Sequence, residues 1–259
     1  MLGIPQLASV DETLDELINT EKSFARFGDG ELRVMFKGGG MGFQKRDAQL
    51  IERLKEVLAS CEPNLMIGLI DVFNIKAKIF RNYWKGLGKY QKVICQFLDP
   101  KQRYYKATAT RVSEQRHFQK LKKIWQDKKV VTIEGNMCRL GVGNDLFDNV
   151  KSLRRILAPA ENAFNVYEQI LEEALKVEKD ALLLIALGPT ATVLAHDLCK
   201  AGYRAIDIGH LDICYELFLR KEPHMVAIEG KYVNEASYRS PAACTDPTYL
   251  AQIITEVKS

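Results

Sequence analysis

Short apolar runs alternate with amphipathic helical stretches along most of this chain, and that alternation predicts an α/β fold with a largely parallel sheet. Ser23 to Phe27 and residues 65–70, 106–110, 130–134, 181–187 and 205–208 read as buried strands. Helical periodicity fills the spaces between them. Over residues 47–59, Leu50, Ile51, Leu54, Val57 and Leu58 share one face while most charges fall elsewhere, with Asp47 as the N-cap. Residues 161–177 repeat the pattern through Ala163, Phe164, Tyr167, Ile170, Leu171, Ala174 and Leu175. A third helix runs from about Ala191 to Lys200 and stops at Gly202, a residue suited to the left-handed position after a helix. In a sheet of this kind, ligands bind beyond the carboxyl ends of the strands.

The chain has 259 residues, 47% of them hydrophobic, enough to bury a substantial core in one unit spanning 1–259. No repeat, low-complexity tract or linker divides it. No apolar run approaches the roughly 18 to 20 residues that span a bilayer. The first 15 residues lack the basic start and apolar centre of a signal peptide, so a cytoplasmic location is expected. The six cysteines, at 61, 95, 138, 199, 214 and 244, contain no C-x-x-C pair, so reduced and mostly buried thiols are expected rather than a zinc ribbon or disulfide framework. A net charge of +4 is too small to require nucleic acid. The basic cluster around Lys120, Lys122 and Lys123 reads as the solvated face of a helix.

Chemistry concentrates in four loops. After the first strand, Gly28-Asp29-Gly30-Glu31 sets two carboxylates two residues apart among glycines. If the extended backbone continues, Asp29 and Glu31 leave on one side and can share a magnesium- or manganese-type cation, whose shell substrate phosphate and water would complete. The same residues also suit a polar turn capping a helix near Glu31. Gly188-Pro-Thr-Ala-Thr192 places free helix amides and the Thr190 and Thr192 hydroxyls where an anion can bind, although neither Walker A nor G-x-G-x-x-G is present. In the loop from Glu134 to Leu146, Arg139, Asn144 and Asp145 with Gly141 and Gly143 make a polar rim for a sugar or diphosphate. At the end of the next strand, His210 can bind metal or diphosphate, and Asp207, Asp212 and Glu216 can hold a sugar hydroxyl or take a proton. Residues 231–235 read either as a flap over the ligand or as a packed surface loop.

These blocks together resemble a family. Arg26-Phe-Gly-Asp-Gly-Glu31, Arg139-Leu-Gly-Val-Gly-Asn-Asp-Leu-Phe147, Ile156-Leu-Ala-Pro-Ala-Glu-Asn-Ala-Phe164, Leu187-Gly-Pro-Thr-Ala-Thr-Val-Leu-Ala195 and Ile206-Asp-Ile-Gly-His-Leu-Asp212 occur in order over nearly the whole chain, which is similar to the bacterial GT-D fold glycosyltransferases. The resemblance implies a Rossmann-like sheet flanked by helices, a nucleotide-sugar donor such as UDP-glucose, and a divalent metal at a D-x-E motif occupied here by Asp29 and Glu31. It also implies a glycan acceptor on a surface glycoprotein, such as a serine-rich-repeat adhesin, or on a polysaccharide, and association with other glycosyltransferases. On that basis Asp29 and Glu31 are expected metal ligands, and His210, from its place at the strand end, is expected to complete the metal or diphosphate shell. Arg26, Arg139, Asn144, Asp145, Gly188, Thr190 and Thr192 are expected to face the donor, and Asp212 or Glu216 the acceptor. A metal-dependent nucleotide-sugar phosphohydrolase and a non-catalytic nucleotide-sugar-binding module are the alternatives. A dehydrogenase is disfavoured by the missing G-x-G-x-x-G.

Overall fold

A computed structural model describes residues 6–36, 42–70, 91–237 and 241–258, so the first five residues of the N-terminal segment lie outside it. The described chain forms helix α1 (Val10–Asn19), strand β1 (Ser23–Phe27), α2 (Asp29–Phe36), α3 (Ala48–Leu58), β2 (Leu65–Leu69), β3 (Tyr105–Lys106) and α4 (Gln115–Trp125). Then follow β4 (Lys129–Gly135), β5 (Ser152–Ala158), α5 (Tyr167–Leu175), β6 (Leu182–Ala186), α6 (Pro189–Lys200), β7 (Arg204–Asp207), α7 (Leu211–Leu219), α8 (Pro247–Gln252) and β8 (Ile253–Glu256). All eight strands join one sheet in the order β3-β2-β1-β7-β6-β4-β5-β8. Every pairing is parallel.

Strand alternation builds two cores, one on each face. Ala25, Phe27, Val131, Ile133, Leu183 and Ile185 point to one side, where they meet Leu50 and Leu54 of α3, Ile170 of α5 and Leu194 and Leu198 of α6. Phe24, Val130, Leu182 and Leu184 point to the other, against Leu14 and Leu17 of α1, Phe118 and Leu121 of α4 and Leu211 and Tyr215 of α7. Local signals start and stop these helices. Ser9 and Glu12 close a capping box on α1. Asp47 accepts from the Leu50 amide at the start of α3. Gly202, at φ +82°, ends α6, with the Tyr203 amide donating to Leu198 and the Gly202 amide to Cys199.

Two expectations for the elements change, and one strand goes unread. Residues 106–110 do not continue as a strand, because the ladder with β2 ends at Leu69–Lys106 and Ala107–Thr110 then close into a 3-10 turn. Without a partner strand, the β-branched threonines have no pleated surface to fit. The stretch 161–177 divides into a 3-10 turn at Ala163–Val166 and helix α5. Strand β5 carries Arg154 and Arg155, which break its apolar run. Arg155 is nonetheless buried, because its Nη1 pairs at 2.6 Å with Glu134 of β4. The thiols are not mostly buried as expected: Cys199 and Cys214 are, while Cys61 is exposed and Cys95, Cys138 and Cys244 lie between, because they fall in turns and loops rather than on core faces. Among the described residues, no helix is long and apolar enough to cross a membrane.

Candidate functional site

A cleft of about 400 Å³ opens at the carboxyl edge of the sheet, over β1, β7, β6, β4 and β5. Its volume falls in the range of small-molecule sites. Of the expected residues, Arg26, Asp29, Glu31, Gly188, His210 and Asp212 line it.

The Asp-Gly-Glu segment is helical from Asp29 onward, so its two carboxylates do not leave an extended strand end on one side. On a helix, neighbours two apart diverge by more than half a turn. Glu31 turns back to accept from the Gly28 amide at 2.7 Å and is almost fully buried, while Asp29 pairs loosely with Arg33 at 3.6 Å. The capping turn and the acidic cleft wall are thus the same residues. Burial, and then the neighbouring Asp207 carboxylate, push the Glu31 carboxyl up to about 7 against the opposing pull of Arg26. Arg26 bridges the floor of the site, donating to Asp207 at 3.3 Å and to the Ala107 carbonyl at 3.1 Å. That second bond is one use of the 3-10 turn that replaces the expected strand.

His210 does not join Asp29 and Glu31 as a third ligand. Its Nε2 lies 3.1 Å from Glu235, whose other oxygen accepts from Arg111 at 3.0 Å. Burial raises the Glu235 carboxyl, but the His210 hydrogen bond and the charges of His210 and Arg111 outweigh it and hold the group at about 2. Among the described residues there is no group of three or more His, Cys, Asp or Glu side chains able to hold a metal. A closed protein cage is therefore absent there. Two carboxylates are what a magnesium-type ion takes when water and phosphate supply the rest of its shell. Asp29 and Glu31 both line the cleft on the first turn of α2, Asp29 beside Arg33 and Glu31 folded back on the Gly28 amide.

Asp212 and Glu216 have a different setting from the one expected of a base. Both are buried and both hold the Lys231 ammonium, at 2.7 and 3.1 Å. Asp212 also accepts from the Gly141 amide and from Asn144 at 2.9 Å each, and Glu216 accepts from Asn144 at 2.7 Å. Asn144 is thus a tie between the 134–146 loop and α7 rather than part of the cleft wall. Asp145 faces away, bonded to Lys122 and Tyr215. Arg139 donates to the Gly230 and Ala242 carbonyls. Thr190 and Thr192 are fully buried behind Gly188, and Thr192 donates to the Arg26 carbonyl at 2.8 Å. Arg139 and Lys231 together anchor the segment after α7, which brings Tyr232, Asn234 and Glu235 onto the cleft. Residues 231–235 thus form part of the cleft wall, with Lys231, Tyr232 and Val233 themselves packed in the interior.

Sequence reasoning missed Arg33, Arg111 and Phe43, which also line the cleft. The i, i+4 spacing of Asp29 and Arg33 was a readable signal once a helix is assumed. Arg111 had none, because it follows an irregular turn.

Comparison with known proteins agrees with this arrangement. A family model described as glycosyltransferase GT-D fold matches residues 24–236. A probable glycosyl transferase, Gly, of Streptococcus gordonii is 36% identical over 96% of this chain and 38% of its own length. Glycosyltransferase GlyD of Streptococcus pneumoniae is 30% identical over 99% of this chain and 33% of its own. The chain therefore spans roughly a third of the length of these curated relatives, 38% and 33%. Among solved structures, a new glycosyltransferase from Streptococcus sanguinis superposes with a TM-score of 0.90 at 32% identity, covering 98% of this chain and all of that one. Another, described as having a distinct glycosyltransferase fold, gives the same TM-score at 30% identity over 100% of this chain and 97% of that one. With the family model matching residues 24–236, most of its length, this chain belongs to the glycosyltransferase GT-D fold family.

Proposed function

We propose that this chain is the catalytic domain of a metal-dependent hexosyltransferase. It moves a sugar, glucose being the first candidate, from a UDP-sugar to a glycan acceptor on a bacterial surface glycoprotein or polysaccharide, in the cytoplasm. The observation that carries this reading is the meeting, in one cleft, of the Asp29 and Glu31 carboxylates with the guanidinium groups of Arg26, Arg33 and Arg111. A diphosphate needs both kinds of partner: cations for its own oxygens, and carboxylates for the metal that it brings. Asp29 and Glu31 would hold a divalent ion there, which when bound would supply positive charge against the leaving diphosphate.

The chain's own residues do the rest. Arg26, fixed by Asp207, presents positive charge at the cleft floor. Arg111 is held by Glu235 on the anchored segment. Asp212 and Glu216, which share the Lys231 ammonium, position the loop and that segment rather than accept a proton.

The test is UDP release from a panel of UDP-sugars with Mn²⁺, Mg²⁺ or EDTA, with and without glycan acceptors. Metal-dependent, acceptor-stimulated release is expected; no release from any donor under any condition would sink the reading, and release indifferent to acceptor would point to a hydrolase. Glu31→Gln retains an oxygen for the Gly28 amide while removing the charge, and Asp29→Asn removes the other. Each is expected to cut turnover at least 100-fold, in the range seen when one electrostatic group is lost from a transition-state site.

A further inference from the structure

The two ends of the cleft differ in chemistry, and the strand order explains why. Over β1 and β7 it is ionic, with Arg26, Asp29, Glu31 and His210. Over β6, β4 and β5 it is largely apolar, with Pro159, Ala160, Ala163, Leu187 and the half-buried ring of Phe43. From β1 to β6 is two strand spacings, about 10 Å. A nucleoside diphosphate laid across that edge puts its phosphates at one end and its base at the other.

Phe43 is held in place with some care. Its carbonyl accepts from the Asn162 amide at 2.8 Å, and the Asn162 side-chain oxygen accepts from the Lys45 amide at 2.8 Å. Asn162 makes both bonds from a left-handed conformation, φ +55°, which costs energy outside glycine. The ring lies directly on Gly188: a Cβ there would come within 2.4 Å of Phe43 Cε2. So Gly188 serves as the floor under an aromatic ring as well as the cap of α6. Three separate elements thus converge to place one aromatic side chain at the apolar end of an otherwise charged cleft.

We propose that Phe43 is the platform on which the nucleobase of the donor stacks, with Asn162 as the residue that positions it. The proposal rests on the reading of the cleft as a nucleotide-sugar site and adds to it the determinant of base affinity. Stacking tolerates any base, because every base offers a π-face, so the ring supplies affinity for the nucleoside rather than choice among bases.

Calorimetric titration of the wild-type domain, Phe43→Ala and Phe43→Tyr with UDP, UDP-glucose and inorganic pyrophosphate, each with Mg²⁺, separates the outcomes. Loss of one stacked base predicts that Phe43→Ala weakens UDP about 5- to 150-fold. Pyrophosphate binding should stay within about twofold, the ionic end being untouched, and Phe43→Tyr should bind UDP like wild type. Asn162→Ala, which frees the loop, should weaken UDP and leave pyrophosphate alone. UDP affinity unchanged in Phe43→Ala overturns the proposal while leaving the donor reading intact. An equal loss of UDP and pyrophosphate also overturns it, since the ring would then support the whole cleft. A loss confined to UDP-glucose assigns the ring to the sugar and likewise overturns it. Wild-type protein that binds none of the three overturns both this proposal and the donor reading beneath it.

Discussion

Gly209 shows how closely single residues are fitted around the cleft. It sits at φ +49°, and a Cβ there would lie 1.9 Å from the Arg26 guanidinium, so the glycine both makes the turn after β7 and leaves room for the arginine. Gly209→Ala is therefore expected to expel Arg26 from its bond with Asp207 and to weaken UDP binding at least tenfold, measured by calorimetry. A variant that binds normally would show that Arg26 does not reach the phosphates. At this scale the sequence was legible in composition but not in direction. Asp29, Glu31 and His210 were identifiable from their neighbours, yet their orientations were not. Whether Asp29 and Glu31 share a side depends on one backbone choice, strand or helix, and the Gly28 amide captured by Glu31 favours the helix.

Helices on one face of the sheet are tied by Asp197 of α6. It accepts two hydrogen bonds from Arg53 of α3 at 2.7 and 2.8 Å, one from Tyr167 of α5 at 2.5 Å, and contacts its neighbour His196 at 2.8 Å. Burial would raise this carboxyl, but the bonds from His196, Tyr167 and Arg53 prevail and hold it at about 2, below its ordinary 3.8. A carboxyl depressed on folding stabilises the protein above the unfolded value and loses that contribution as pH falls toward the folded value. Denaturant midpoints should therefore separate wild type from Asp197→Asn at pH 7, by about 2–4 kcal/mol, and converge between pH 4 and pH 2. A gap that persists at pH 2 would locate the effect in packing instead. Strands β2 and β6 could be read from sequence because burial on both faces requires unbroken apolar runs, and β4 and β7 from the shorter apolar stretches at their centres. Strand β5 could not, because its Arg155 is affordable only once Glu134 lies 2.6 Å away on the neighbouring strand. β8, at the sheet margin with alternate residues half-exposed, carries too weak a pattern to announce itself.

Across the whole molecule, one buried lysine joins three parts that are distant in sequence. Lys231, 3% exposed, sits between Asp212 and Glu216, and through them the 134–146 loop, α7 and the segment bearing Glu235 are held as a unit. Lys231→Met would leave the buried Asp212 carboxylate without its cation and Glu216 with Arg220 alone. A loss of about 3–5 kcal/mol is expected in chemical denaturation, along with new protease cleavage between residues 224 and 237. The neutral triple variant Asp212→Asn, Glu216→Gln, Lys231→Met should recover most of that stability; no recovery would mean that the charges are not the cause.

The sequence by itself determined the α/β class, the parallel sheet, the helix caps and the edge at which chemistry gathers. Those properties follow from periodicity and from local bonds spanning three or four residues. Only the tertiary structure decided which charged groups face the ligand and which hold one another. Glu216, Arg139 and Asn144 look in sequence like the residues of a site, and become supports because Lys231, Gly230 and Ala242 arrive from far along the chain to meet them or their partners, while Asp212 both lines the cleft and holds Lys231. Arg111, Glu235 and Phe43 become cleft residues by the same kind of long-range arrival. A buried charge takes the partner that packing brings, and strand order determines that packing.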